Sequence, residues 1–161
     1  MVRWLSDPRV AEWYEGRSVM FDAAAVRAKF MAPDDAVSRC AIEEAGRPIG
    51  FIQVYAHDPE ELEELGLAGR AGRVCGIDLF IGEPDLWSGG RGSRLVRAAA
   101  DYLLLVWGAD LVTIDPFVHN GRAIRAYEKA GFRKVKQTLD TDVVNGERRM
   151  SWLMVLDPPL G

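Results

Sequence analysis

Little in this chain suits metal or disulfide chemistry: 161 residues hold two cysteines and two histidines. Cys40 and Cys75 show neither zinc-ligand spacing nor a disulfide framework, and both sit in apolar runs, so they read as buried free thiols. No metal is expected. Positive charge is not in excess either. The formal net charge is -4, which argues against nucleic acid as a partner and favours a cationic one. Long hydrophobic runs are missing: the longest, residues 98–107, contains Asp101 and is too short to cross a bilayer. Nothing at the start has a charged n-region followed by an apolar h-region. The expectation is a soluble, cytoplasmic protein without a membrane partner. No repeats or low-complexity segments interrupt it, and its length suits one domain spanning 1–161.

What is present is an alternation of elements. Asp7-Pro8 opens a short helix to residue 14, broken at Glu15-Gly16-Arg17; residues 1–5 carry no start signal. Asp22 caps an Ala-rich helix over 23–30, with Pro33 as its stop. Residues 38–43 and 49–55 form a hairpin about Ala45-Gly46-Arg47-Pro48. The acidic stretch 58–67 is expected to be helical. A strand over 74–81 follows, with Asp78 inside it. Leu95, Val96, Ala99, Leu103 and Val106 then recur at helical spacing, and Gly108 ends that helix. Residues 111–114 are a short apolar strand. Asn120 caps a second core helix with Ile124 and Tyr127 on one face and Gly131 at C′. Strands over 133–139 and 148–156 flank an Asn145-Gly146 turn. Strand–helix–strand in the centre implies a right-handed parallel crossover, and the flanking hairpins imply antiparallel edges. The fold class is α/β, a mixed sheet with helices on both faces.

Trp87-Ser88-Gly89-Gly90-Arg91-Gly92-Ser93 lies at a strand-to-helix junction. Glycines there let main-chain N–H groups approach an anion, and the helix dipole adds attraction. Arg91, Arg94 and Arg97 crowd the same end and offer further charge to phosphate. A Walker A loop is excluded because no Lys precedes Ser93. A dinucleotide fingerprint is excluded because Leu95 stands where a third glycine belongs. A flexible turn that binds nothing is the bland alternative.

The frame Trp87-Ser88-Gly89-Gly90-Arg91-Gly92 resembles the Gln/Arg-x-x-Gly-x-Gly/Ala pyrophosphate loop of the GCN5-related N-acetyltransferase (GNAT) superfamily. Trp87 departs from its first position, which a loop binding through backbone amides tolerates. The later segment Asn120-x-x-Ala123-Ile124-x-x-Tyr127-Glu128-Lys129-Ala130-Gly131-Phe132 is similar to that superfamily over its whole length. Gly76-Ile77-Asp78, Asp115-Pro116 and Glu12-Trp13-Tyr14 resemble the aminoglycoside 6′-N-acetyltransferases in particular. The resemblance implies a central parallel pair splayed around acyl-coenzyme A. It also implies a first strand before the first helix, yet Met1 falls where that helix is already running. A sheet edge left open in this way is usually covered, so a monomer and a homodimer with an exchanged strand both stay open.

The activity implied is acyl transfer from acetyl-coenzyme A to a cationic small-molecule amine, the 6′-amine of an aminoglycoside first. Siderophore hydroxylysine, polyamine or peptide-terminal amines, and a non-catalytic acyl-CoA-binding module, are the alternatives. Asp115 ends a parallel strand, where ligands gather, and the resemblance makes it the base or amine-binding acid; on its own it also reads as a turn-initiating Asp before Pro. Asp78 is costly to bury unpaired: either it faces a polar cleft or it pairs with an arginine. The resemblance gives it the amine, and gives Tyr127 the departing thiolate. Leu79, Phe80 and Ile81 are expected to offer main-chain groups to the thioester and pantetheine if the strand splays. The phosphates fall to Trp87, Ser88, Gly89, Gly90, Arg91, Gly92 and Ser93, with Asn120 and Ala123 beside the pantetheine arm. Trp13 and Tyr14 are candidates to stack on a sugar ring, and Asp142 is a further acid near the last hairpin. His119 is expected in a loop near the coenzyme, and His57 as structural or exposed.

Overall fold

The computed structural model describes residues 1–14, 21–70, 72–139 and 149–158. Three helices lead the chain: α1 (Val2–Leu5), α2 (Pro8–Tyr14) and α3 (Ala23–Phe30). A hairpin, β1 (Val37–Glu44) and β2 (Arg47–Ala56), precedes α4 (Pro59–Glu64) and β3 (Val74–Ile81). The second half contains α5 (Arg91–Leu105), β4 (Leu111–Ile114), α6 (Gly121–Lys129), β5 (Arg133–Leu139) and β6 (Met150–Leu156). The six described strands form one sheet in the order β1-β2-β3-β4-β6-β5. Only β3 and β4 run parallel; the other neighbours are antiparallel. The mixed sheet with helices on both faces is therefore as the sequence implies.

Local chemistry explains the element ends. Asp22 accepts a hydrogen bond from the Ala25 amide and so caps α3. Asp58 and Glu61 form a reciprocal capping box that starts α4 in the acidic stretch. Asn120 Oδ1 accepts from the Ala123 amide at 3.1 Å and starts α6. Gly131, with φ 101°, follows α6 in the conformation that ends helices. α1 had no sequence signal. It is a single turn held by burial of Trp4 and Leu5, with the Trp4 indole donating to Glu83 Oε1 at 2.9 Å.

One layer, built around α5 and α6, covers Cys75, Ile77, Val112, Ile114 and Met154. The opposite face is an aromatic cluster of Trp4, Phe21, Phe30, Phe51 and Phe80, fed by α1–α3. Two sequence expectations fail here. Cys40 is exposed because it lies on β1, an edge strand most of whose side chains are open to solvent; Cys75 is buried as expected. Val106 is exposed because α5 ends at Leu105, and Ala100 and Leu104 take the buried positions instead. The break at Glu15-Gly16-Arg17 and the Asn145-Gly146 turn lie outside the described residues.

The register between β3 and β4 decides everything downstream. Val74, Cys75 and Gly76 pair with Leu111, Val112 and Thr113, and there the pairing stops. β3 continues to Ile81 against β2 alone, while β4 ends at Ile114 against β6. The two strands part and leave a wedge-shaped opening in the middle of the sheet. Gly76 sits at its apex, where an added Cβ would lie 2.5 Å from the Tyr55 ring. Gly76→Ala is expected to cost about 1–3 kcal/mol through overpacking and to displace Tyr55. Chemical denaturation checks the loss, and an unchanged midpoint would show that the ring gives way freely.

Candidate active site

Ladder geometry selects which main-chain groups face the opening. The Gly82 amide donates to the Ile49 carbonyl at 2.8 Å, and the His57 amide to the Val74 carbonyl at 2.9 Å. With Phe80 opposite Phe51 and Asp78 opposite Gln53, alternation sends the main-chain groups of Gly76, Asp78 and Phe80 toward β2. Those of Ile77, Leu79 and Ile81 face the parting strands. Phe80, expected to share this role, turns its amide to Phe51 and its ring into the aromatic cluster. The Ile81 carbonyl accepts from the Trp87 indole N–H at 2.7 Å, so Trp87 closes the outer end of the wedge.

Beyond Trp87 the chain enters the left-handed region three times in succession, with φ of 73° at Ser88, 65° at Gly89 and 79° at Gly90. An added Cβ at Gly89 or Gly90 would meet protein atoms no closer than 3.6 Å. Backbone conformation, not crowding by the protein, is what calls for glycine here. Gly90 is the N-cap of α5 and brings no side chain to its first-turn amides, which stay available to an anion. Arg91 does not line the cleft: its Nε donates to Glu44 Oε1 at 2.9 Å. Arg97 is taken by Asp101.

A single cleft of about 770 Å³ joins this cradle to the other candidates. Trp13, Tyr14, Asp78, Leu79, Phe80, Ile81, Trp87, Ser88, Gly89, Gly90, Gly92, Ser93, Asp115, Asn120, Ala123 and Tyr127 all line it. Asp142 lies outside the described residues. Tyr14 is 4.7 Å edge-on from Phe80 and 6.1 Å from Phe30, the position of a core anchor. Trp13 instead lies toward the mouth, 5.6 Å from His119.

Asp78 resolves the alternative left open by the sequence in favour of the cleft. Its Oδ2 accepts from Gln53 Nε2 at 2.6 Å and its Oδ1 faces Tyr55 Oη at 3.5 Å. Burial raises the Asp78 carboxyl above the ordinary carboxylate range, against the opposing effect of those hydrogen bonds. Burial also drives the phenols of Tyr55 and Tyr127 upward, helped by the negative charge of Asp78 and Asp115. Both phenols are therefore neutral proton donors near neutral pH. Asp115 follows the last residue of β4 and is exposed in the cleft. His57 is structural: it is nearly buried, with Nε2 2.8 Å from Thr113 Oγ1, tying the end of β2 to β4 across the apex.

Gln53 and Tyr55 were missed in the sequence. Their signal is faint, two polar positions two apart in the apolar strand Ile49-Gly50-Phe51-Ile52-Gln53-Val54-Tyr55, and it acquires meaning only once register sets Gln53 opposite Asp78. Arg122 was missed as well. It is the second residue of α6, with its guanidinium carbon 3.8 Å from the Trp87 ring centroid and 5.6 Å from that of Trp13. Among the described residues no group of His, Cys, Asp and Glu is arranged to hold a metal ion, and no helix is long and apolar enough to cross a membrane.

A central parallel pair that opens beside an uncapped, glycine-led helix defines the acetyltransferase class. The acetyltransferase (GNAT) domain model matches residues 1–139, and the chain belongs to that family. An aminoglycoside N(6′)-acetyltransferase type 1 from Klebsiella pneumoniae is 29% identical over 141 residues, covering 83% of this chain and 68% of the relative. An aminoglycoside acetyltransferase solved with coenzyme A and kanamycin superposes with a TM-score of 0.72 at 26% identity, over 98% of this chain and 87% of that one. A spermidine N-acetyltransferase from Vibrio cholerae, solved with coenzyme A and spermine, shares the fold alone, with a TM-score of 0.69, 18% identity, and 97% and 86% coverage.

The upward shift at Asp78 has a stability consequence. A carboxyl with a raised folded-state pKa binds its proton more tightly in the native than in the unfolded chain, so stability falls as pH rises between the two values. Asp78→Asn is expected to raise the melting temperature at pH 7.5, with the gain shrinking as pH falls to about 4 and below, where the carboxyl of the unfolded chain takes up its proton as well. Thermal melts across that range check it. A variant that melts lower at pH 7.5 would show that the hydrogen bonds from Gln53 and Tyr55 outweigh the cost of burial.

Proposed function

We propose that this protein transfers the acetyl group of acetyl-coenzyme A to a primary amine of an aminoglycoside. One observation carries the reading. The opening between β3 and β4 has an anion cradle at one end and two carboxylates, Asp78 and Asp115, on the walls of the same cleft. The aminoglycoside activity in the names of the relatives supports the acceptor.

The coenzyme supplies an acetyl group activated as a thioester. The amides that open α5 hold its diphosphate, backed by the dipole of a 15-residue helix. The outward main-chain groups of Leu79 pair with the pantetheine arm and polarise the thioester carbonyl; those of Ile81 share the task to the extent that Trp87 leaves them. Asp115 binds the acceptor ammonium and removes its proton, with Asp78 sharing the cation. Removal of that proton frees the nitrogen lone pair to form the new C–N bond. The new C–N bond leaves one surplus proton on the nitrogen; as the C–S bond breaks, Tyr127 donates its phenolic proton to the departing sulfur, and the surplus proton, relayed through water, restores the phenol. General-base help of this sort is worth about 10²–10⁴ in rate, and alignment of the two reactants adds to it.

A second acceptor class has an observation of its own. Lys29 and Arg149 also line the cleft, and such cations suit an amine that carries an anionic group, as a hydroxylysine derivative or a peptide terminus does. Free-thiol release from acetyl-coenzyme A over a panel of kanamycin, spermidine and lysine derivatives separates the classes. Fastest turnover with kanamycin is the expected result, preference for the carboxylate-bearing amines replaces the acceptor, and binding without any turnover leaves a coenzyme-binding module. Asp115→Asn is expected to lose 100-fold or more, about the scale of a lost general base, while binding acetyl-coenzyme A as tightly as before. Rates within threefold of wild type would remove Asp115 from proton transfer. Gly90→Val is expected to weaken coenzyme binding, because valine strains a φ of 79° and its branched side chain obstructs the cradle; calorimetric affinity equal to wild type would place the diphosphate elsewhere.

A further inference from the structure

Arg122 stands where electrostatics alone would not put it. It occupies the first turn of α6, two residues after the N-cap Asn120, where the helix dipole opposes a cation. Burial lowers the stability of its charged form, offset in part by Glu12. What holds it is aromatic. The guanidinium carbon lies 3.8 Å from the Trp87 ring centroid, within stacking distance, and 5.6 Å from that of Trp13. Trp87 is itself fixed by its hydrogen bond to the Ile81 carbonyl and by packing against the α1–α3 cluster. Stacking uses the faces of a guanidinium and leaves its N–H edge free to donate in plane.

The two indoles belong to different halves of the cleft. Trp87 leads directly into Ser88-Gly89-Gly90, the start of the anion cradle. Trp13, the penultimate residue of α2, stands on the acceptor side beside His119, whose ring stacks on Phe117 at 5.6 Å with 2° between planes. Arg125, Lys129 and Lys29 line the cleft as well, but only Arg122 is recorded against aromatics of both halves among the described residues.

We infer that Arg122 is a positioning residue that reads the coenzyme diphosphate through its N–H edge and, through its faces, orders Trp13 on the acceptor wall. Coenzyme binding then rigidifies α2 before the amine arrives, and the two substrates bind with positive coupling. The inference rests on the coenzyme reading above.

Two measurements on the intact protein test it, neither needing the acceptor. Calorimetry with coenzyme A gives affinity at two salt concentrations, and hydrogen exchange follows the peptide containing Pro8–Tyr14 with and without coenzyme A. Wild type is expected to bind, with slower exchange in α2. Arg122→Met keeps the bulk and loses the charge, so affinity is expected to fall about tenfold, the scale of one charge-assisted hydrogen bond. Its salt dependence is expected to shallow and the protection of α2 to vanish. Arg122→Lys restores charge without a flat face, so affinity is expected to recover to within about threefold of wild type while α2 stays unprotected. Affinity of Arg122→Met within twofold of wild type, or protection of α2 retained in either variant, overturns the assignment. Wild type that fails to bind coenzyme A would overturn the coenzyme reading itself and this inference with it.

Discussion

The parting of β3 from β4 after Gly76 and Thr113 is the constraint on which the remaining architecture rests. A parallel pair normally satisfies its main-chain groups along its full length, and buried amides without partners are costly. Here β4 ends after Ile114 while β3 runs on to Ile81, so a row of β3 groups is turned toward a cleft instead of a strand. Such an edge is tolerable because the cleft admits polar partners and because Trp87 takes the Ile81 carbonyl. The apex is held by side chains above and below. His57 reaches Thr113, Thr113 donates to the Cys75 carbonyl at 3.3 Å, and Tyr55 fills the space that Gly76 leaves.

From that opening the two halves of the proposed site follow by different physics. The coenzyme half is made largely of main chain: three left-handed residues, an uncapped helix start, and the outward amides of β3. The acceptor half is made of side chains from separate elements, with Asp78 from β3, Gln53 and Tyr55 from β2, Trp13 from α2 and Asp115 beyond β4. Burial tunes the second half. It makes Asp78 a better proton acceptor than an exposed carboxylate and keeps Tyr55 and Tyr127 as donors.

This division accounts for what was legible in one sequence. β3 and β4 match residues 74–81 and 111–114 because both are largely apolar runs bounded by turn residues, with Asp78 the one charge inside β3. The cradle was visible as clustered glycines, and α6 as a capped amphipathic helix. Side chains that meet across the sheet were not visible. Gln53 reaches Asp78 only because of the β2–β3 register, and register depends on a connection containing α4 whose length and path no local pattern specifies. α1 escaped because a single turn stabilised by tertiary burial has no capping signature. Cys40 was misplaced because the apolar pattern of a strand does not reveal whether a layer covers it.

A site divided in this manner changes unevenly. Substituting a side chain in the cradle leaves its amides in place, which is why Trp87 can stand at the first loop position without removing the anion site. Its indole is instead recruited elsewhere, to the Ile81 carbonyl and the Arg122 guanidinium. On the proposed acceptor wall each substitution alters a side chain and not the backbone, so the same fold can carry different side chains there. The carboxylates of Asp78 and Asp115 and the side chains of Trp13, Phe117 and Arg149, which line the same cleft, belong to that variable half. On the reading proposed above, the choice of amine falls to side chains meeting across register, the hold on the coenzyme falls largely to the backbone, and the proton steps fall to Asp115 and Tyr127.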